Sequence, residues 1–180
     1  VLTIPESVRE IGAGAFSGVT GLKEVVIPGT VKVIQRDAFS YNTEIEKVTM
    51  QYGVESIGDA AFKGCTGLTE IIMPDSVTEV GNEAFRNCTN LTTVQLSNSL
   101  TSLRTWMFGE CRNLITINIP SNLTEIGDYT FSSCIKLDNI IIPAGVENIS
   151  TGAFSSCTSL YNITIDETNA TYEIEDGIIY

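Results

Sequence analysis

The stretch Ile71-Ile72-Met73-Pro74-Asp75-Ser76-Val77-Thr78-Glu79-Val80-Gly81-Asn82-Glu83-Ala84-Phe85-Arg86-Asn87-Cys88 decides the fold, because its slots recur along the chain. Every Phe falls on one phase: Phe16, Phe39, Phe62, Phe85, Phe108, Phe131 and Phe154 follow one another at intervals of 23 residues. Ala15, Ala38, Ala61, Ala84 and Ala153 stand immediately before it, with Met107 and Thr130 as the exceptions. Three residues after it come Cys65, Cys88, Cys111, Cys134 and Cys157, which are all the cysteines, while Val19 and Asn42 fill that slot in the first two repeats. Leu22, Ile45, Leu68, Leu91, Leu114, Leu137 and Leu160 stand six residues after Phe, and two further aliphatic positions follow them in an L-x-x-I-x-I pattern.

A sustained period in this range is the signature of stacked supersecondary units. Pro5, Pro28, Pro74, Pro120 and Pro143 share the slot after the last aliphatic residue. Proline gives no N–H to a ladder and fixes its own φ, so it ends a strand and belongs to the turn that follows. Gly12, Gly58, Gly81 and Gly127 recur further on and read as turns needing positive φ. Each unit therefore reads as a short strand, a proline turn, an extended arm, a glycine turn and a short helical or 3₁₀ segment around Ala-Phe. One such unit cannot bury its apolar side alone, whereas stacking superimposes like residues into internal ladders. The expected architecture is a repeat solenoid of the α/β leucine-rich type. Short parallel strands form one face, with turns and short helical or 3₁₀ segments on the other. About seven units fill residues 1–165, and residues 166–180 form a hairpin-like extension whose turn is Asp176-Gly177.

The unit from Ile71 to Cys88 resembles the BspA-like subfamily of leucine-rich repeats, and the match runs over nearly the whole chain. The resemblance implies secreted or cell-surface proteins of bacteria and some protist parasites, used for adhesion to host proteins or to other cells. The tail from Tyr172 to Tyr180 also resembles a stretch that follows the repeats in this family. The chain starts at Val1 in mid-pattern and neither end carries a polar cap, so it reads as a processed product or an excised piece of a longer protein.

Ten basic residues stand against 22 acidic ones, and a net charge of −12 opposes electrostatic capture of phosphate backbones. Nucleic acid is therefore not an expected partner. No apolar run approaches the roughly 20 residues that span a bilayer, so no membrane insertion is expected. The absence of His removes the commonest general base, and repeats without insertions supply no pocket-forming loops. No cofactor or metal is expected, and hydrolysis by a carboxylate pair is the remote enzymatic reading. Cysteines stacked at one phase permit disulfides by geometry, but their odd number and the Val19 substitution favour free, buried thiols acting as small fillers. The acidic tail has no calcium-loop spacing, and six Asn-x-Ser/Thr patterns read as accidents of Asn- and Thr-rich turns.

Binding is left to the surface. The outward strand positions Ile72, Thr93, Gln95, Thr116, Asn118, Asn139 and Ile141 form one candidate face, for a protein or glycan such as a host extracellular-matrix protein. Solvated sheet is the competing reading. Glu24, Lys47 and Glu70 on the same face read as mutually neutralising. Trp106 and Tyr129 share a phase and form a second candidate, the alternative being that they pack against the irregular Arg104 turn. An adhesion module is the preferred function, and a passive spacer or surface-layer scaffold displaying other domains is the alternative.

Overall fold

The computed structural model describes residues 1–175 and 178–179. It is a parallel β-solenoid in which each 23-residue unit contributes to three ladders. The first ladder is built from the aliphatic slots. Leu2–Thr3, Glu24–Ile27, Lys47–Met50, Glu70–Ile72, Thr93–Gln95 and Thr116–Asn118 form one six-stranded parallel sheet in chain order. Asn139–Ile142 and Asn162–Ile165 form a separate parallel pair. Alternation along each strand puts Val25, Ile27, Val48 and Met50 inside and leaves Glu24, Lys47 and Thr49 outside.

A β-turn closes each strand on the proline slot, with the N–H three residues later donating to the proline carbonyl, as in Val31 to Pro28 and Val77 to Pro74. The second ladder lies beyond this turn. Glu10–Ile11, Val33–Ile34, Ser56–Ile57 and Glu79–Val80 form a four-stranded sheet, and Ser102–Leu103, Glu125–Ile126 and Asn148–Ile149 a three-stranded one. At the C-terminal end Ile174–Glu175 pairs antiparallel with Ile178–Ile179, while the Asp176-Gly177 turn lies outside the described residues.

The segment around Ala-Phe is not helical, which corrects the sequence-based expectation, and no helix occurs among the described residues. An α-helix or 3₁₀ helix needs consecutive local bonds. Here every second N–H leaves the unit. Phe62 donates to the Ala84 carbonyl, Ala60 to Asn82 and Gly64 to Arg86, all in the next unit. The residues between them make local bonds, as Ala61 does to Gly58 and Lys63 to Ala60. The positions two before and two after Phe take left-handed backbone conformations: φ is 53° at Ala60 and 70° at Gly64, 57° at Trp106 and 65° at Glu110. Left-handed residues thus bracket each Ala-Phe segment, and its N–H groups point alternately within the unit and to the next one, which yields a third ladder in place of a helix.

Inside the ladders the Phe rings stack face to face, with centroid separations from 5.2 to 5.9 Å and interplanar angles of 3° to 10°. The five central rings are fully buried. Burial of each ring contributes about 2–3 kcal/mol, with roughly 0.5–1.5 kcal/mol more from the aromatic contact.

The glycine slot also departs from expectation. Gly12, Gly58, Gly81 and Gly127 do not have positive φ. The constraint at Gly58, Gly81 and Gly127 is close approach: a Cβ on Gly58 would lie 2.6 Å from the Arg36 amide nitrogen, and one on Gly127 2.7 Å from the Leu103 carbonyl oxygen. These glycines let neighbouring units close up, as Gly58 donates to the Ile34 carbonyl, Gly81 to Ile57 and Gly127 to Leu103.

The seams between units are not equal. In the second ladder, Thr124 donates to Thr101 and Gly127 to Leu103, and equivalent bonds join the other units. Between the Phe85 and Phe108 units the equivalents are missing: among the described residues, neither Thr101 nor Arg104 donates to a backbone carbonyl of the Phe85 unit. The Phe108 unit is the one that has lost both consensus residues, carrying Ser97 for Pro and Arg104 for Gly. Gln35 and Ser150 occupy the glycine slot with the bond to the preceding unit retained, so a side chain there does not by itself open a seam. Ser97 adds a second change, donating its hydroxyl to the Val77 carbonyl at 2.6 Å and tying its turn to the preceding unit.

Candidate binding surface

The cysteine slot belongs to the frame. Cys65 donates its thiol to the Phe39 carbonyl of the preceding unit at 3.2 Å, and Cys88, Cys111, Cys134 and Cys157 repeat the contact with Phe62, Phe85, Phe108 and Phe131. Asn42 does the same work in its unit through Nδ2, which donates to Phe16 at 2.6 Å and to Phe39 at 2.8 Å. The slot is thus occupied by a small donor, a feature that the filler reading of the sequence did not contain. All five thiols are free. Burial pushes Cys65 and Cys111 up to about 12 and Cys157 to about 11, so the nucleophilic thiolate is suppressed.

The outward face of the first ladder carries the variable side chains. Ile72 and Ile141 are 49% and 63% exposed, Gln95, Thr116, Asn118 and Asn139 are exposed, and Thr93 is half-buried. They do not form one continuous sheet. Thr93–Gln95 pairs with both Glu70–Ile72 and Thr116–Asn118, but the ladder is interrupted before Asn139–Ile142. Asn118 stands in the last strand before the interruption, and its side chain reaches back to the preceding unit. Its Oδ1 accepts the Leu96 N–H at 2.7 Å, whereas Met73, at the slot equivalent to Leu96, donates to the backbone carbonyl of Gln95. Beside the interruption Ile117 and Ile119 are only half-buried, although Val94, Leu96, Ile140 and Ile142 at the same positions are buried. Glu24, Lys47 and Glu70 are neighbours in register, yet no ion pair joins them among the described residues, and all three stand in solvent.

Trp106 and Tyr129 are stacked on the third ladder, with centroids 4.9 Å apart. Arg86 lies over the Trp106 ring, 4.3 Å from its centroid, and Tyr129 extends over the backbone of Gly152, where no Cβ fits. The same Arg86 pairs with Glu110 at 2.6 Å and Glu83 at 3.2 Å, and Glu83 pairs with Lys63 at 2.6 Å. The Lys63 hydrogen bond is the main cause that holds the Glu83 carboxyl below its ordinary value, and the Glu110 hydrogen bond raises Arg86 further. Both faces of Trp106 are therefore covered. What the pair presents to solvent is ring edge and the Tyr129 hydroxyl.

A third surface was not singled out in the sequence. A groove of about 680 Å³ runs across the second ladder, over Gly58 and Gly81 and between Gln35 and Arg104. The sequence signal was available: two side-chain-free slots lie between two departures from the glycine pattern.

Three hydrogen-bonded ladders and a phenylalanine stack, repeated every 23 residues, define a leucine-rich-repeat solenoid. The family model for the BspA type leucine rich repeat region matches six copies over residues 1–108 and 55–178, and the chain belongs to this family. Among solved structures it is similar to a leucine-rich repeat protein of Bacteroides ovatus, with 28% identity and a TM-score of 0.71 over 92% of this chain and 48% of the other. It is also similar to a leucine rich cell surface protein of Faecalibacterium prausnitzii, with 27% identity and a TM-score of 0.63 over 92% of this chain and 59% of that one. A leucine-rich repeat protein of T. pallidum is 26% identical, with a TM-score of 0.59 over 75% and 76% of the two chains. The chain thus spans about half to three fifths of the length of the first two. Among curated proteins no match is found.

Proposed function

We propose that the chain is a non-enzymatic binding module of a cell-surface or secreted protein, recognising a protein or glycan through its solenoid surface. The observation that carries this reading is the division of labour along each strand. Inward positions repeat with little change, while the outward ones differ from unit to unit, from Ile72 through Gln95 and Thr116 to Ile141, and stand in solvent on a rigid support. A repeat array with a varied open face is suited to recognition by extended contact. Membership of a family with a cell-surface relative supports the location. Host extracellular-matrix proteins are the first partners to test.

Binding of the chain to immobilised matrix proteins and glycans, compared with a Gln95→Lys, Ile141→Lys variant, tests the assignment. The expected result is at least tenfold weaker binding at an unchanged melting temperature. Undiminished binding of a confirmed ligand would remove this face from consideration. A chain that binds nothing saturably would instead be a spacer displaying other domains.

A further inference from the structure

We propose that the groove over Gly58 and Gly81 is a binding site for a neutral oligosaccharide. The proposal deepens the binding-module reading and rests on it. The groove's volume of about 680 Å³ lies within the range of roughly 300–1,000 Å³ usual for ligand sites. It crosses four stacked units, which at about 4.8 Å per unit gives a run of roughly 14 Å, enough for a short chain of sugars. Its end at the Phe108 unit is the open seam, where the N–H groups of Thr101 and Arg104 lack the backbone partners that their equivalents have in the other units. The carbonyls that would have accepted them, on Thr78 and Val80, line the same groove.

Donors on one side of the seam and acceptors on the other call for groups that both donate and accept, which is the property of a hydroxyl. The charged lining residues balance, Arg36 and Arg104 against Asp59 and Glu79, so the groove selects neither an anion nor a cation. Ser56, Thr78, Thr101 and Ser102 add hydroxyls. Among the described residues no aromatic lines it; Ile34, Ile57 and Val80 are committed to the core, and the half-buried Val33 is a single small apolar contact at one end. The apolar anchor pockets that dominate peptide recognition are therefore missing, and a polyhydroxylated ligand fits better.

The two departures at the end of the groove supply a means to test it. Ser97→Pro with Arg104→Gly restores both consensus residues and is expected to rejoin the seam. The test is an amide-resolved NMR titration of the chain with neutral tetrasaccharides of glucose, mannose and N-acetylglucosamine. Saturable shifts at Thr101, Ser102 and Arg104 are expected with at least one of them, and affinity at least tenfold lower in the double variant at an equal or higher melting temperature. Thr78→Trp, which fills the exposed rim, serves as a second blocking variant should the double one fold poorly. The proposal is overturned if none of the sugars moves these amides, if extended peptides move them and sugars do not, or if the blocked variants bind as well as the parent. Ligand binding on the first ladder that the blocked variants leave untouched would overturn the groove alone; its absence as well would overturn the binding-module reading.

Discussion

The third ladder and the two strand ladders are built on the same 23-residue period, yet they differ in continuity. Around Ala-Phe, three backbone bonds cross each of the six seams without exception, from Gly14 with Arg36 to Ser133 with Ser155. The first ladder breaks between the strands at Thr116–Asn118 and Asn139–Ile142, and the second between those at Glu79–Val80 and Ser102–Leu103. The difference teaches where the array keeps its order. The Phe wall has a side chain that never changes and neighbours that sit in register with it, so its backbone spacing is held. The strand walls carry the variable residues and tolerate a lost seam. Where the second ladder opens, the third ladder adds a clamp across the same pair of units, with Arg86 reaching both Glu110 and Trp106.

The contrast is broken most severely from inside. Phe85→Ala removes a fully buried ring between two stacked neighbours in a wall that cannot collapse around the void, and an expected loss of about 3–5 kcal/mol follows. Chemical denaturation should show this with little change in the slope, and a loss below about 1 kcal/mol would mean that the wall is not the main support. Arg86→Ala is next. It deletes two partly exposed ion pairs and the cover on Trp106, for an expected cost of about 1–2 kcal/mol after allowance for solvent screening. Trp106 is the sole tryptophan of the chain, so its emission reports the uncovered ring directly, and an unchanged spectrum would contradict the clamp.

On the strand side, Asn118→Ala takes away the Oδ1 that accepts the Leu96 N–H, and a loss of about 1 kcal/mol is expected. An Asn read as a free surface amide predicts none. Thermal unfolding of this variant beside Thr116→Ala, whose side chain makes no hydrogen bond among the described residues, separates the two.

These cases mark how far the sequence could be read. The Phe, Pro, aliphatic and Cys slots announced a solenoid because each repeats at one phase and is explained by burial or by a turn. The third ladder stayed hidden. Left-handed backbone is advertised by Gly and Asn, as at Gly18, Gly64 and Asn87, but two residues before Phe the slot holds Asp37, Ala60, Glu83, Trp106 and Tyr129 in the same conformation. Without that signal, Ala-Phe flanked by small residues read as a helical turn. Ser97 and Arg104 were visible one at a time, whereas the open seam belongs to the unit that combines them. The hydrogen bond of Asn118 and the contacts of Arg86 were not legible because what they touch lies in a neighbouring unit, 22 and 24 residues away.

The smallest expected effect has the opposite sign and sharpens the contrast. Ala60 has φ of 53°, where an L-residue is strained by roughly 1–2 kcal/mol and Gly is not. Its equivalents Gly14 and Gly152 already carry glycine, while Trp106 and Tyr129 offset the strain with their stack. Ala60 has no such compensation. Ala60→Gly removes the strain and adds about 0.4–1 kcal/mol of chain entropy to the unfolded state. The balance is a gain of about 0.5 kcal/mol, read as a small rise in melting temperature. A fall would show that the slot does not require left-handed backbone, and with it the account of why the Ala-Phe segment forms a ladder instead of a helix would fail.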